Sequence, residues 1–340
     1  MGSDLKEAVL CMRLDGKKVR CNLCNWRCVI SEGQRGRCRV RKNIGGRLYS
    51  LNYHKLCSAN PDPIEKKPLF HFQPGSRSFS IATPGCNFQC EFCQNWQISQ
   101  VGNGEGIEGE RLEPERIVEL AIKSGCSSMA YTYTEPTIFM ELAYDCGILA
   151  KESGLANVFV SNGFMTKEAI DFASDWLDGI NIDLKSFSEE YYARLCKAKL
   201  APVLETIEYI AKRTDIWLEV TTLVVPGEND SDEELTEIAE FLVKRAGADV
   251  PWHISRFYPQ YKYVDSVPTP AATLLRAYDI GKKAGLKYIY IGNLPTARGE
   301  NTYCPQCQRM LLRREGYYLA ENNLLDGRCD ECGEKIAGVF

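Results

Sequence analysis

Cys86, Cys90 and Cys93 lie within eight residues of one another, in the run Cys86-Asn-Phe-Gln-Cys90-Glu-Phe-Cys93 just after the turn pair Pro84-Gly85. Three thiolates this close form a clamp for a metal group. A 4Fe-4S cube takes four ligands, normally four cysteines, so three leave one iron open, and an open iron is a reactive site. Zinc is the competing occupant. Its structural sites prefer Cys-x2-Cys pairs joined to a second pair, which this triplet lacks.

Sixteen cysteines in 340 residues, with no export signal, point to a reducing compartment and to metal ligation rather than disulfides. Cys304-x2-Cys307 and Cys329-x2-Cys332 have zinc-ribbon spacing, with a rubredoxin-like iron or an auxiliary cluster as the alternative. Cys21-x2-Cys24-x3-Cys28-x9-Cys38 is less regular. Zinc is expected there, with an auxiliary 4Fe-4S cluster as the alternative. Cys11, Cys57, Cys126, Cys146 and Cys196 stand alone and read as small buried hydrophobes.

The elements that position the triplet follow from periodicity. Short β-branched runs alternate with longer amphipathic stretches between Phe79 and Gly292, the pattern of a parallel α/β sheet or barrel. Strands are expected at Phe79–Thr83, Ser128–Tyr133, Asn157–Ser161, Gly179–Asp183, Ile216–Val225 and Trp252–Phe257, with a seventh at Lys287–Ile291. Helices are expected at Pro114–Ser124, at Asp232–Arg245 behind an N-cap Ser231, and at Ala271–Ala284 ending on Gly285. Gln100–Gly109 is glycine-rich and reads as a mobile loop. It is not a phosphate-binding motif, since no strand feeds it and no helix opens from it.

This places a catalytic unit at residues 79–300. Residues 1–57 form a Cys-rich metal module, with a hairpin over Val40–Ser50 turning at Gly45-Gly46. Residues 58–78, with four prolines, are expected to be an extended linker, and residues 301–340 to be a zinc-ribbon-like module. Residues 1–57 carry 13 Lys/Arg against 4 Asp/Glu, a net +9, so the other residues carry −13 of the total −4. Such a basic segment can steer an anionic partner or offset thiolates around a metal. No apolar run is long enough to span a bilayer and the first residues lack signal-peptide character, so a cytoplasmic protein without membrane attachment is expected.

The Cys86-x3-Cys90-x-Phe92-Cys93 motif resembles that of the radical S-adenosylmethionine (SAM) superfamily. The resemblance implies an α/β fold built on a partial (β/α)6 TIM-like barrel, with SAM chelated through its methionyl amine and carboxylate to the open iron of the 4Fe-4S cluster. One electron then cleaves the sulfonium, and the 5′-deoxyadenosyl radical takes hydrogen from a substrate. Tyr133-Thr134-Glu135-Pro136 is similar to the family's Gly-Gly-Glu-Pro segment without its glycines, which makes Glu135 the acceptor for the SAM ammonium. Ser161 and Asn162 after the third strand, Asp183 and Lys185 after the fourth, Thr221 on the fifth and His253 on the sixth are the other candidate cofactor contacts. Asp183 and Lys185 fall on one strand face. They either pair with each other or hold the cofactor. Activating enzymes often carry Arg where Thr221 stands, and a lone His such as His253 is as readily structural.

Over nearly the whole chain the sequence looks like the radical protein of the AmmeMemoRadiSam system, a branch related to the pyruvate formate-lyase activating enzymes. The segments that carry this are the Cys21–Cys38 module, Asp62-Pro-Ile-Glu-Lys-Lys-Pro-Leu-Phe-His-Phe72, Gln94-Asn95-Trp96 and the Cys304–Cys332 ribbon. The resemblance implies an electron donor such as flavodoxin or ferredoxin, a protein substrate in the manner of a glycyl-radical activase, and co-encoded proteins of the system as partners. Radical modification of a peptide or small metabolite is the alternative. A metal-bearing nucleic-acid-binding protein, motivated by the basic segment and the ribbon, is a remote one.

Overall fold

The structure is a computed structural model and describes residues 5–102, 106–296 and 298–340. All seven expected strands form, as Arg77–Ala82, Ser128–Tyr131, Ala156–Ser161, Gly179–Asp183, Trp217–Val224, Trp252–Arg256 and Ile289–Gly292, no end displaced by more than two residues. Ser128–Tyr131 stops short of Tyr133 because Tyr133 adopts φ +63°, a left-handed turn incompatible with a strand. The Gln100–Gly109 loop lies partly outside the described residues.

Backbone contacts gather the chain into two units, Met1–Asp62 with Arg77–Asp178, and Pro63–Ser76 with Gly179–Phe340. In the first, Arg77–Ala82, Ser128–Tyr131 and Ala156–Ser161 pair in parallel, with Ser78, Ser128 and Ala156 in register. Pro114–Lys123 and Met140–Glu152 are the helices of the two crossovers. Pro at the first helical position and an acidic first turn favour the start of the former.

The cysteine-rich segment belongs to this unit. Cys11–Arg13, Val19–Cys21 and Val29–Ile30 form one antiparallel sheet, and Lys6–Glu7, Arg47–Ser50 and Arg41–Ile44 another. The expected hairpin is present, its turn made by Gly45 and Gly46 at φ +63° and +83°, which suits a tight primed turn. Arg41 lies fully buried beneath it and pairs with Glu141 of the helix Met140–Glu152, whose carboxylate also accepts from Val9 N at 2.8 Å.

In the second unit, Gly179–Asp183, Trp217–Val224, Trp252–Arg256 and Ile289–Gly292 pair in parallel. Asp183, Thr221, His253 and Tyr290 form one row across the four strands. Asn181 and Glu219 share that face one step earlier. Asp232–Phe241 begins at Ser231, whose hydroxyl accepts from Glu234 N at 3.2 Å, and its last turn widens over Leu242–Ala246. Ala271–Ala284 ends on a left-handed Gly285, as expected.

Residues 58–78 are built in more deeply than an extended linker requires. Ser58–Pro63 is a strand, Ile64–Lys66 a single 3-10 turn, and Lys67, Leu69, Phe70, His71 and Phe72 are buried. Pro68 O accepts from Asn181 Nδ2 at 2.8 Å, and the backbone N–H groups of Phe70 and His71 donate to the two Glu219 oxygens at 3.0 and 2.8 Å. Phe72 bridges to Val339 in parallel. Thr302–Tyr303, Met310–Glu315 and Tyr318–Asn322 form the sheet of the ribbon. Its Cys304, Leu311, Leu312, Cys329 and Ile336 bury themselves with Phe70, Tyr288 and Tyr290.

Candidate iron–sulfur and cofactor site

The loop bearing Cys86, Cys90 and Cys93 leaves the carboxyl end of Arg77–Ala82, where parallel α/β folds place their ligands. Gly85 makes the exit possible. Its φ is +110°, and a Cβ there would meet Val40 Cγ1 at 2.7 Å and Ile138 Cδ1 at 3.1 Å. Gly85 N donates to Ile98 O at 2.9 Å, and Asn52 Nδ2 reaches Thr83 Oγ1 at 2.7 Å and Pro84 O at 3.2 Å. The loop is therefore fixed at its root before any metal binds.

Donors already surround the sulfurs. Phe88 N points at Cys86 Sγ at 3.4 Å, Asn162 Nδ2 lies 3.8 Å from the same sulfur, and Ser99 Oγ lies 3.3 Å from Cys93 Sγ. Hydrogen bonds to ligand sulfurs tune a cluster's potential. The three thiols do not gather around a single-ion point as the ribbon cysteines do. A three-thiol donor set spread along an ordered loop fits a cluster with one open iron.

Glu135, Ser161 and Asn162 come together, in an arrangement more internal than the sequence suggests. Glu135 Oε1 accepts from Thr137 N at 3.0 Å, Thr137 Oγ1 at 2.5 Å and Ser161 Oγ at 2.8 Å, while Oε2 accepts from Asn162 N at 2.8 Å. Burial raises the Glu135 carboxyl above its ordinary range, and these donors oppose that rise. The carboxylate caps the turn Pro136–Phe139 and holds the end of the third strand, leaving acceptor capacity on Oε2. Asn162 Nδ2 also donates to Asn87 Oδ1 at 2.7 Å, so it clasps the residue next to Cys86.

In the second unit Lys185 Nζ lies 2.7 Å from Asp183 Oδ2 at the carboxyl end of their strand. The structure thus pairs them with each other, one of the two outcomes their spacing allows. Thr221 Oγ1 donates to Asn181 Oδ1 at 2.9 Å. His253 Nε2 meets Glu219 Oε2 at 2.6 Å, and its ring lies between Phe70 and Tyr290 at 4.8 and 5.2 Å. Glu219, which also accepts from Trp217 Nε1 at 3.0 Å, was not singled out as a site residue. One acid inside the apolar run Trp217-Leu-Glu-Val-Thr-Thr222 was the available signal. Trp26, Asn87 and Asn95 were also missed, because their partners are far away in sequence: Trp26 Nε1 donates to Asn87 O at 2.9 Å and Asn95 Nδ2 to Tyr133 O at 2.8 Å.

The ribbon cysteines converge as their spacing predicts. The Sγ atoms of Cys304, Cys307, Cys329 and Cys332 all lie within 4.8 Å of one another, and the Cys304–Cys332 and Cys307–Cys329 separations are both 3.6 Å. A tetrahedron with metal–sulfur bonds of about 2.3 Å has edges of roughly 3.8 Å, so this group can close around one ion. Among the described residues, no helix is long and apolar enough to cross a membrane.

Parallel strands alternating with helices define an α/β fold, with a three-cysteine loop at the carboxyl end of one strand. The chain matches the family model of the Radical SAM superfamily over residues 80–242, and it belongs to that superfamily. It is 46% identical over 337 residues to the uncharacterized protein MJ0808 of Methanocaldococcus jannaschii, covering 98% of this chain and 99% of that one. It is 26% identical over 199 residues to the pyruvate formate-lyase-activating enzyme of Listeria monocytogenes, covering 54% of this chain and 78% of that one. Among solved structures, SuiB of Streptococcus suis bound to S-adenosylmethionine shares the fold with a TM-score of 0.51 at 13% identity, over 71% of this chain and 56% of that one. Membership implies SAM and a 4Fe-4S cluster as cofactors.

Proposed function

We propose that the chain is a radical SAM enzyme of the activating-enzyme kind, in which Cys86, Cys90 and Cys93 hold the 4Fe-4S cluster and the substrate is a protein. The observation that carries this is the pre-fixed cysteine loop: Gly85 sets its exit, Asn162 clasps Asn87, and N–H and O–H donors face the sulfurs of Cys86 and Cys93. When bound, the cluster supplies the electron that breaks the SAM sulfonium, releasing the radical that takes hydrogen from the substrate.

The chain's own groups orient and position. Phe88 N and Asn162 Nδ2 bias the electron density on Cys86. Glu135 offers the remaining acceptor site on Oε2 to the SAM ammonium, held in place by Ser161 and Thr137. Asp183 and Lys185, which pair with each other, and Thr221 in the same strand row are the further residues that would contact SAM when it is bound, and His253 fixes that row through Glu219. Cys304, Cys307, Cys329 and Cys332 would hold a structural zinc ion. The electron donor is a low-potential carrier such as flavodoxin or ferredoxin, and the co-encoded AmmeMemoRadiSam-system proteins are the first substrates to try.

The test is anaerobic reconstitution and reduction, followed by assay of 5′-deoxyadenosine with SAM. Wild-type protein produces it, and a mass or spin change appears on the substrate protein. Cys90→Ala produces none. Absence of SAM cleavage by a preparation whose cluster is present and reducible refutes the reading.

A further inference from the structure

Cys21, Cys24, Cys28 and Cys38 line one pocket, partly open to solvent, with Trp26, Arg37 and Arg41 among its other walls. The two four-cysteine sets of this chain differ in span. The ribbon set gathers within 4.8 Å, the size of one tetrahedral ion, whereas among the described residues the amino-terminal set does not. Four thiols that line one pocket without gathering to single-ion spacing suit a group of several atoms, and thiolate sulfur is the donor of iron–sulfur clusters.

The pocket is also prepared for negative charge. Arg41 is 1% exposed, its Nη1 lies 3.9 Å from Cys21 Sγ, and its Nε has no protein partner. Its ion pair with Glu141 leaves that N–H unused. Arg37 stacks its guanidinium 3.8 Å from the centre of the Trp26 ring on the same wall. A cluster with four thiolates carries net negative charge, and a buried N–H donor would satisfy its sulfur and set its potential.

The pocket's walls touch the catalytic loop on both sides of Cys86. Cys38 O lies 3.4 Å from the position of a Cβ on Gly85, and Trp26 Nε1 donates to Asn87 O at 2.9 Å. We propose that Cys21, Cys24, Cys28 and Cys38 hold a second 4Fe-4S cluster that relays single electrons to the cluster at Cys86, Cys90 and Cys93. A low-potential one-electron carrier protein is oxidised as the second cluster is reduced. The same electron then reduces the catalytic cluster, with no bond made or broken and no proton moved. The net +9 of residues 1–57 suits an acidic carrier. The relay rests on the proposed function; the second cluster does not.

The experiment uses the full chain carrying Cys86→Ala, Cys90→Ala and Cys93→Ala, reconstituted anaerobically with iron and sulfide. The expected result is about four irons per chain and the electron resonance signal of one reduced cluster, both lost when Cys24→Ala is added. Zinc at two per chain with no iron overturns the second cluster. If the triple variant does not fold, spin counting on the reduced wild type decides: two coupled spins per chain support the proposal, and one overturns it. For the relay, the rate at which a reduced flavodoxin or ferredoxin reduces the catalytic cluster is followed by electron resonance in wild type and in Cys24→Ala. A tenfold or greater slowing supports the relay, and an unchanged rate overturns it while leaving the iron count to stand. Failure of SAM cleavage with both clusters present would instead count against the proposed function.

Discussion

Asn162 Nδ2 stands 2.7 Å from Asn87 Oδ1 and 3.8 Å from Cys86 Sγ, so a residue at the end of the third parallel strand grips the cysteine loop at the end of the first. Its backbone N–H meanwhile binds Glu135. One asparagine thereby couples the Cys86–Cys93 loop to the acid expected to meet the cofactor. Asn162→Ala should lower 5′-deoxyadenosine formation about 10–100-fold, the usual effect of removing a ligand-orienting partner. A shift in cluster potential by redox titration separates this role from simple loss of fold, and an unchanged potential with full activity would contradict it.

Gly85→Ala should be among the most damaging small substitutions in the protein. The added methyl meets Val40 Cγ1 at 2.7 Å, on a backbone at φ +110°. Strain and overpacking together should cost about 2–4 kcal/mol, with reduced iron uptake. Thermal unfolding and iron content after reconstitution measure both.

Arg41 and Glu141 form a fully buried pair. Arg41→Met alone should destabilise by about 3–5 kcal/mol, because it leaves a buried carboxylate without its countercharge. Arg41→Met with Glu141→Leu should recover most of that loss. A double-mutant cycle by denaturant unfolding checks this; additive losses would show that the two residues act separately.

His71 gives the second unit an acid sensitivity. Burial holds its pKa down to about 4, against an ordinary 6.5, while its ring bridges Ala337 O and Tyr290 OH at 2.6 Å each. The unfolded chain therefore binds the proton more readily than the folded one. Stability from the neutral ring is complete above pH 6.5 and is lost as pH falls toward 4, by roughly 3 kcal/mol at most. Unfolding midpoints across that interval should fall less steeply in His71→Gln than in wild type. Parallel slopes would remove His71 from the account.

Chelation should open the ribbon. With any bound metal removed, or in Cys329→Ser, the packing of Leu311, Leu312 and Ile336 on Phe70 should lose its anchor, since metal binding and folding are linked in such small units. Limited proteolysis after chelator treatment should cleave within residues 301–340 first.

The seven strands and the Cys86–Cys93 loop were legible because each depends on local pattern: alternation and apolar runs for the strands, a few residues' spacing for the loop. Ser231 and Gly285 announced their helix ends for the same reason. What spacing could not show was where polar side chains spend their hydrogen bonds. Glu135 reads as a cofactor residue in the string Tyr-Thr-Glu-Pro, yet four protein donors already occupy it. Arg41 and Glu141 are 100 positions apart and carry no local sign of their meeting. The prolines of residues 58–78 forecast extended backbone but said nothing of its burial, in which the distant Glu219 takes part.

The segment that ends at Ser76 finds some of its partners only at the far end of the chain, since His71 and Ala337 are 266 positions apart. At a synthesis rate of roughly 5–20 residues per second, His71 waits on the order of 13–50 seconds after its own translation before those groups exist. Through that interval Phe70 and Phe72 lack the cover of the ribbon, so the nascent chain carries an apolar stretch that a chaperone can hold. Completion of the second unit waits on residues as late as Val339, and a ribosome stalled before Cys329 would leave a chain with Cys86, Cys90 and Cys93 already synthesised and its second unit still unsealed.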